Sequence, residues 1–415
     1  MSFHDHRASW ARCWVRLVLV MVGTGLSSAA IPTKPVASAK HTVALKKARK
    51  PAAPIAPVIV KTTRSAKKTA KTATPAKAKT LRGPWRVPTF ADSTEGDRVD
   101  GDDLVVRRAA VEALGKLNGT VVVADPRTGR VLTVVNQRLA FRDGFQPCST
   151  VKVPVALAAL SESVVERDTR IRLYGRTTVS MTEALAKSNN QYFASLGQKL
   201  GFERVSYYAR LFGLGEKAGL DIEGEEAGLL PAAPPKNGMG MMTSFGDGIA
   251  LTPLELTALV SAVANGGTLF YLQYPRSIDD AQALLPRVKR HLDIEQVIPD
   301  IKPGMQGAVE YGTARRIGFD RNEPMYGKTG PCTDERSPTH LGWFGSFSDK
   351  VAVVVLLTGG QGVSGPAAAV VAGNVYKNLD AAEYTAQSTF SSPSPAPPSV
   401  LPTRPLALRA PSAAQ

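Results

Sequence analysis

The charge of this chain is confined to one end, and that confinement limits which part of it can fold. Up to Phe90 there are 18 Lys and Arg residues against one acidic residue, Asp5. From Ala91 onward 33 basic residues face 34 acidic ones. The formal excess of +16 therefore belongs to a tail, and the remainder is nearly neutral. Residues 31–90 are rich in Lys, Ala, Thr and Pro, with no acidic residue and few large apolar side chains. Such a stretch cannot bury enough surface to offset its chain entropy, and its charges repel. We expect a disordered basic linker there, serving as a spacer or touching an anionic wall polymer or membrane surface. From 384 to 415 the chain turns to Ser, Pro and Ala, which predicts a second disordered tail. One domain is left, 91–383, and a chain that is 43% hydrophobic can supply its core.

Residues 1–30 have the pattern of an export signal. Arg7, Arg12 and Arg16 precede an apolar run over 17–26, which ends in the small residues Ser27, Ser28, Ala29 and Ala30. The run is shorter than the ~20 residues of a spanning helix. A cleaved signal is therefore expected ahead of an uncleaved anchor, with the domain in the periplasm or cell envelope. The texture of the linker resembles DNA-condensing tails, but export sets nucleic acid aside as a partner. Cys13 precedes the apolar run, so removal of the signal would leave Cys148 and Cys332. A single pair in an exported chain points to a disulfide. Two unrelated buried thiols are the alternative.

Within the domain, 105–117 has helical spacing. The β-branched runs 119–125 and 130–136 flank a turn signal, Pro126 to Gly129, and predict a hairpin. Residues 149–160 and 182–200 read as helices, with Ser188 and Asn190 in the second or on a turn within it. A second hairpin is expected from 340–348 and 351–358, and a closing helix over 367–379. Strand pairs at both ends with helices between predict an α+β domain. Its antiparallel sheet is built from both ends of the domain and flanked by helices, with an inserted all-helical lobe.

Three short strings carry the candidate chemistry: Ser149-Thr150-Val151-Lys152, Ser188-Asn189-Asn190 and Lys328-Thr329-Gly330. A serine hydroxyl needs a base to become a nucleophile. On a helix starting near Ser149, Lys152 shares its face, and a desolvated amine can take that proton. Pro154 falls in the first turn, where proline is tolerated. A second hydroxyl, Ser188, could relay a proton, and the Asn190 amide could hold a carbonyl. Lys328 and Thr329, on a strand beside the second hairpin, could bind a carboxylate, with Gly330 admitting substrate backbone. Each string alone is weak: Ser65-Ala66-Lys67-Lys68 repeats the first in the linker.

Their order and surroundings are specific. Over roughly 91–380 the chain resembles the penicillin-binding protein transpeptidases of the serine β-lactamase/D,D-peptidase superfamily. Residues 181–190, the string Gly246-Asp247-Gly248 with Leu251-Thr252-Pro253-Leu254 and Ala264-Asn265-Gly266-Gly267, and His340-Leu341-Gly342-Trp343-Phe344 are similar to segments of that family. The resemblance implies acylation of Ser149 by a peptidoglycan stem peptide ending in D-Ala-D-Ala, or by a β-lactam. Lys152 would be the base, Ser188 the relay and Asn190 the group orienting the acyl amide. Lys328 and Thr329 would hold the terminal carboxylate, and no metal or cofactor would be needed.

The chain departs from that family in several places. The family's oxyanion hole uses the backbone N–H of the residue after Lys-Thr-Gly, and here that residue is Pro331, which has none. Losing one such donor costs roughly 100- to 1000-fold in rate. Cys148 and Cys332, placed against the first and third strings, resemble a disulfide of certain carbapenem-hydrolysing β-lactamases, and Pro154 also suits the β-lactamase pattern. The deacylating Glu segment of those enzymes has no clear counterpart, and the acidic stretch 221–226 fits the transpeptidases. The first and second strings lie only 39 residues apart, which predicts a trimmed domain with a more open cleft. Three functions follow as expectations: a D,D-transpeptidase or carboxypeptidase, a catalytically weakened sensor or scaffold that binds penicillin, or a β-lactamase-like hydrolase.

Overall fold

The computed structural model describes residues 86–142, 144–318, 323–334 and 338–384. The expected signal or anchor over 1–30, the linker apart from 86–90, and the tail beyond Tyr384 lie outside the described residues. Among the described residues no helix is long and apolar enough to cross a membrane. Thr89 and Phe90, which the sequence places at the end of the linker, already pair with the domain. The Asn118 amide donates to Thr89 O at 2.9 Å, and Phe90 bridges Leu117.

The N-terminal part of the domain follows the sequence pattern closely. Helix α1 (Leu104–Leu114) begins where the Asp103 carboxylate accepts from the Val105 and Val106 amides. The two β-branched runs form β1 (Gly119–Ala124) and β2 (Val131–Val135), an antiparallel hairpin. A short helix, α2 (Gln137–Ala140), leads the chain off the sheet.

The inserted lobe comes next. A 3-10 turn, Cys148–Val151, opens into α3 (Lys152–Ser161). A small ribbon of β3 (Ile171–Arg172) and β4 (Thr178–Val179) connects α3 to α4 (Met181–Ala186). Helices α5 (Asn190–Leu211), α6 (Met239–Phe245) and α7 (Pro253–Ala264) complete the helical face. The family-like segment at 251–267 builds α7. Thr252 and Glu255 form a capping box, Pro253 takes the first turn, and the Asn265 side chain donates to Pro126 O in the β1–β2 turn at 2.7 Å. A second ribbon, β5 (Thr268–Phe270) with β6 (Val288–His291), encloses α8 (Ile278–Ala283), and α9 (Ile298–Glu310) leads back to the sheet.

Strands β7 (Tyr326–Asp334), β8 (Thr339–Phe347) and β9 (Ala352–Gly359) and helix α10 (Gly365–Ala381) close the domain. The sheet order is β2-β1-β9-β8-β7, with each neighbouring pair antiparallel. The sheet is thus built from both ends, joined where β1 pairs with β9, and the helical lobe is inserted between β2 and β7. The α+β architecture expected from the sequence is the one observed.

Strand alternation divides the core between the two faces of the sheet. Val122, Val354, Leu356 and Trp343 pack with the lobe helices, among them Leu157, Phe193 and Leu256. Val121, Val123, Val353, Val355 and Phe344 pack with α1 and α10, against Val106, Leu114, Ala368 and Val375.

One covalent bond crosses this frame. Cys148 and Cys332 form a disulfide, with Cα atoms 5.7 Å apart and a sequence separation of 184. It ties the turn before α3 to the edge strand β7. An idealised loop of this size gains about 5 kcal/mol of chain entropy, an upper value because real unfolded chains retain structure. Thiol titration of the whole denatured, unreduced chain should find one free thiol, that of Cys13. Reduction should raise the count to three and lower the thermal midpoint by several degrees; an unchanged midpoint would show that the restraint does not stabilise the fold.

Candidate active site

Ser149 lies in the 3-10 turn and Lys152 is the first residue of α3. The turn places positions three apart on one face, so the two side chains meet. Lys152 Nζ is 2.8 Å from Ser149 Oγ. It is also 3.1 Å from Ser188 O, 3.1 Å from Ser188 Oγ and 2.6 Å from Asn190 Oδ1. The Phe193 and Phe245 rings flank the amine, at 5.7 and 5.8 Å to their centroids. Lys152 has 0% exposure, and burial pushes its amine down to about 7. An ammonium has three protons for these four oxygens. A neutral amine fits the set differently: its two N–H groups donate to Asn190 Oδ1 and to one Ser188 oxygen, and its lone pair accepts the Ser149 Oγ–H. That arrangement prepares Ser149 to lose a proton.

The second string is the point where one predicted helix becomes two. The sequence reads 182–200 as helical, with Ser188 and Asn190 in the helix or on a turn within it, and the structure has the turn. The structure ends α4 at Ala186 and starts α5 at Asn190. The break is a Schellman-type cap: the Ser188 amide donates to Leu185 O at 3.2 Å and the Asn189 amide to Ala184 O at 2.8 Å. Ser188 takes the left-handed position, φ 55°, where glycine is usual. The Asn189 side chain then caps α5 by accepting from the Tyr192 amide at 2.9 Å. The cap is what turns Ser188 O and Oγ back towards Lys152. Cys148, just before Ser149, also has a positive φ, 51°. Two non-glycine residues in the left-handed region beside one amine mark a strained site.

The third string lies on β7, the edge strand that adjoins the second hairpin. Lys328 and Thr329 are each 1% exposed. The Lys328 amine donates to Thr329 O at 3.1 Å, and burial, then the nearby Lys152 charge, holds it well below its usual range. Thr329 Oγ1 donates to Thr313 Oγ1 at 2.7 Å. Gly330 is where the strand meets the turn that carries Ser149. A Cβ there would lie 2.9 Å from Pro147 O and 3.0 Å from Thr150 Cγ2. The space that Gly330 leaves on this side is taken by the turn that carries Ser149. On the other side, a Cβ on Gly365 at the start of α10 would lie 2.9 Å from Thr329 Cβ and 3.0 Å from Pro331 Cδ. Glycines thus let the strand pack closely against both neighbours. Pro331 is exposed, and the β7–β8 ladder runs from Tyr326↔Phe347 to Asp334↔Thr339 without a bulge, through Pro331↔Gly342. Proline is accommodated because β7 is an edge strand.

Supporting residues outside the strings complete the site. The indole N–H of buried Trp343 donates to Gln146 O at 2.9 Å, and the Gln146 side chain donates to Phe245 O at 3.2 Å, fixing the approach to Ser149. Ser244 Oγ donates to Asn190 O at 2.8 Å. The only signal for Trp343 in the sequence is its place in the string at 340–344, and Ser244 and Thr313 carry no local pattern. Between α3 and α4 the described chain holds one two-stranded ribbon, consistent with the short spacing between the first two strings.

A mixed fold whose sheet edge and inserted helices converge on a serine–lysine pair defines a serine acyl-transfer type of domain. The penicillin binding protein transpeptidase domain matches residues 119–379, and the chain belongs to that family. It is 28% identical to Stage V sporulation protein D of Bacillus subtilis over 286 residues, 59% of this chain and 44% of that protein. It is 26% identical to peptidoglycan D,D-transpeptidase FtsI of Escherichia coli over 251 residues, 49% of this chain and 42% of that protein. It thus spans about half the length of these relatives. A crystal structure of Pseudomonas aeruginosa PBP2 in complex with WCK 5153 superposes with a TM-score of 0.60 at 26% identity, covering 71% of this chain and 78% of that one.

With Lys152 depressed to about 7, its basic form grows as pH rises through that value. The rate of Ser149 acylation by a fluorescent penicillin should therefore climb between pH 5 and 8 and then level. Lys152→Met should lower the plateau by roughly 100- to 10,000-fold and remove the climb. A flat profile in the parent chain would mean that Lys152 is not the titrating base.

Proposed function

We propose that this chain is an exported serine acyl-transfer enzyme of peptidoglycan metabolism, a D,D-transpeptidase or D,D-carboxypeptidase that forms an acyl-enzyme at Ser149 and binds penicillin. The observation that carries this reading is the buried Lys152 amine, 2.8 Å from Ser149 Oγ and held by Ser188 and Asn190. The names of FtsI and its kin support the substrate class.

In this reading Ser149 Oγ attacks the carbonyl of the penultimate D-Ala as its proton passes to Lys152 Nζ. The Ser149 backbone N–H, at the start of a helical segment, stabilises the oxyanion. Ser188 Oγ, 3.1 Å from Lys152 Nζ, relays the proton to the departing amine of terminal D-Ala. Asn190 gives its Oδ1 to Lys152, which leaves its amide N–H groups for the acyl carbonyl. The Lys328 ammonium, disfavoured by burial, is restored by an arriving carboxylate. Transfer of the acyl group to an amine gives a cross-link, and transfer to water gives trimming.

A second reading is favoured by one observation. The ladder through Pro331 is regular, so β7 does not shift to bring a replacement N–H to the position after Gly330. Acyl transfer would then rest on one oxyanion donor, and the chain would act as a slow enzyme or a penicillin-binding sensor or scaffold. Beyond this site, we propose that the basic linker over 31–90 spaces the domain from, or touches, an anionic wall polymer or membrane surface.

Intact-mass measurement of the purified chain with penicillin, beside Ser149→Ala, separates the readings. A stable adduct absent from the variant supports acyl transfer at Ser149, and rapid turnover supports a hydrolase. No adduct at any concentration sinks both. Pro331→Thr should speed acylation about 10-fold or more by restoring a backbone donor; unchanged kinetics would show that the oxyanion does not use this position.

A further inference from the structure

Thr313 belongs to none of the three strings, yet it bridges two of them. It lies between α9 and the 3-10 turn Arg315–Ile317. Its amide donates to Ala186 O, the last residue of α4, at 3.1 Å. Its hydroxyl accepts from Thr329 Oγ1 at 2.7 Å. The backbone beside it is fixed, because a Cβ on Gly312 would fall 2.1 Å from Ala186 O. Thr313 is therefore held against both the second-string cap and the third-string strand.

The proton count of this pair is informative. Each hydroxyl has one proton. Thr329 directs its proton at Thr313 and is buried, whereas Thr313 is half-buried and opens the pair to solvent. The Thr313 proton is the one left to meet a ligand. An amine adjoins the pair: Lys328 Nζ lies 3.1 Å from Thr329 O, and Pro331 has neither a hydroxyl nor an N–H to contribute. An incoming carboxylate would take the Thr313 proton directly and draw the Thr329 proton away from Thr313, so that both hydroxyls donate to it. Hydrogen bonds to charged acceptors are the stronger kind.

We propose that Thr313 is a specificity-determining residue of this site, whose hydroxyl joins that of Thr329 in receiving the carboxylate of the acyl donor. This rests on the acyl-transfer reading for the identity of the donor, but carboxylate selection can be measured without catalysis. A purely structural role, satisfying Thr329, would affect acids and their masked derivatives alike.

The test compares Thr313→Val and Thr313→Ser in the full chain. Acylation by benzylpenicillin is measured beside that by its methyl ester. Equilibrium binding of an N-acylated D-Ala-D-Ala peptide is measured beside that of its C-terminal amide, in a Ser149→Ala background. The acid should be preferred in both assays. Thr313→Val should remove about 10-fold or more of that preference while the ester and amide values stay within about 2-fold. Thr313→Ser should keep the preference. Equal losses for acid and masked compound, or a preference untouched by Thr313→Val, would overturn the proposal. If the parent chain forms no adduct but the peptide acid is preferred and Thr313→Val abolishes that preference, the inference stands and the acyl-transfer reading fails. If neither assay shows any preference for the acid, the inference fails.

Discussion

The site depends on one unfavourable act, the burial of the Lys152 amine. Keeping it near 7 rather than in the usual lysine range costs several kcal/mol below that pH, at about 1.4 kcal/mol per tenfold change in proton affinity. The contacts that make the burial possible come from three places. Ser149 is on its own turn, Ser188 is in the cap between α4 and α5, and Asn190 is at the start of α5. The aromatic walls come from α5 and the end of α6. Removing the amine would leave these groups without the atom that organises them, so the lobe's arrangement and the candidate chemistry share one determinant.

The sheet contributes a second constraint, acting from the opposite side. Strand β7 is pressed between the nucleophile turn and the start of α10, and the glycines at 330 and 365 make both contacts possible. The Cys148–Cys332 bond fastens the first of these contacts. Trp343, one strand further in, fastens it again through Gln146. Three independent devices therefore fix the turn that carries Ser149 relative to the strand that carries Lys328 and Thr329. Such a site is preorganised, which matters most for a reaction whose barrier is lowered by aimed dipoles rather than by motion.

Much of the architecture could be read from local pattern. The valine-rich hairpins and α1 and α10 have one periodicity each and no competing signal, and they form within a few residues of their expected bounds. The chemistry-bearing strings were legible as residue types, because Ser, Lys and Asn at those spacings have few physical uses in one domain. What escaped the sequence was conformational. Nothing in the composition of 182–200 announces that Ser188 will accept a left-handed backbone, since serine is not the residue that position favours. Gly330 was legible only as a place of close approach; that the turn carrying Ser149 packs there could not be read from it. Ser244 and Thr313 were invisible as site residues because their partners lie on distant elements, and Trp343 was marked only by its place in the string at 340–344.

Pro331 ties these strands of argument together. A proline in a central strand would break the ladder, whereas on the edge it leaves the register intact, and the clamp on β7 removes the freedom that a shifted strand would need. The rigidity that positions Lys328 and Thr329 therefore also denies the site a substitute donor from β7. In the proposed reaction, stabilisation of the oxyanion would then come from the Ser149 N–H and the helical dipole behind it. The proposed recognition of the acyl donor, by contrast, would use side chains on β7 and after α9, which the proline leaves in place. Under the proposed function, binding and turnover would separate: Pro331 removes a backbone donor from the oxyanion position but no side chain from the proposed carboxylate site, so the chain would retain its ligand class even where its rate falls.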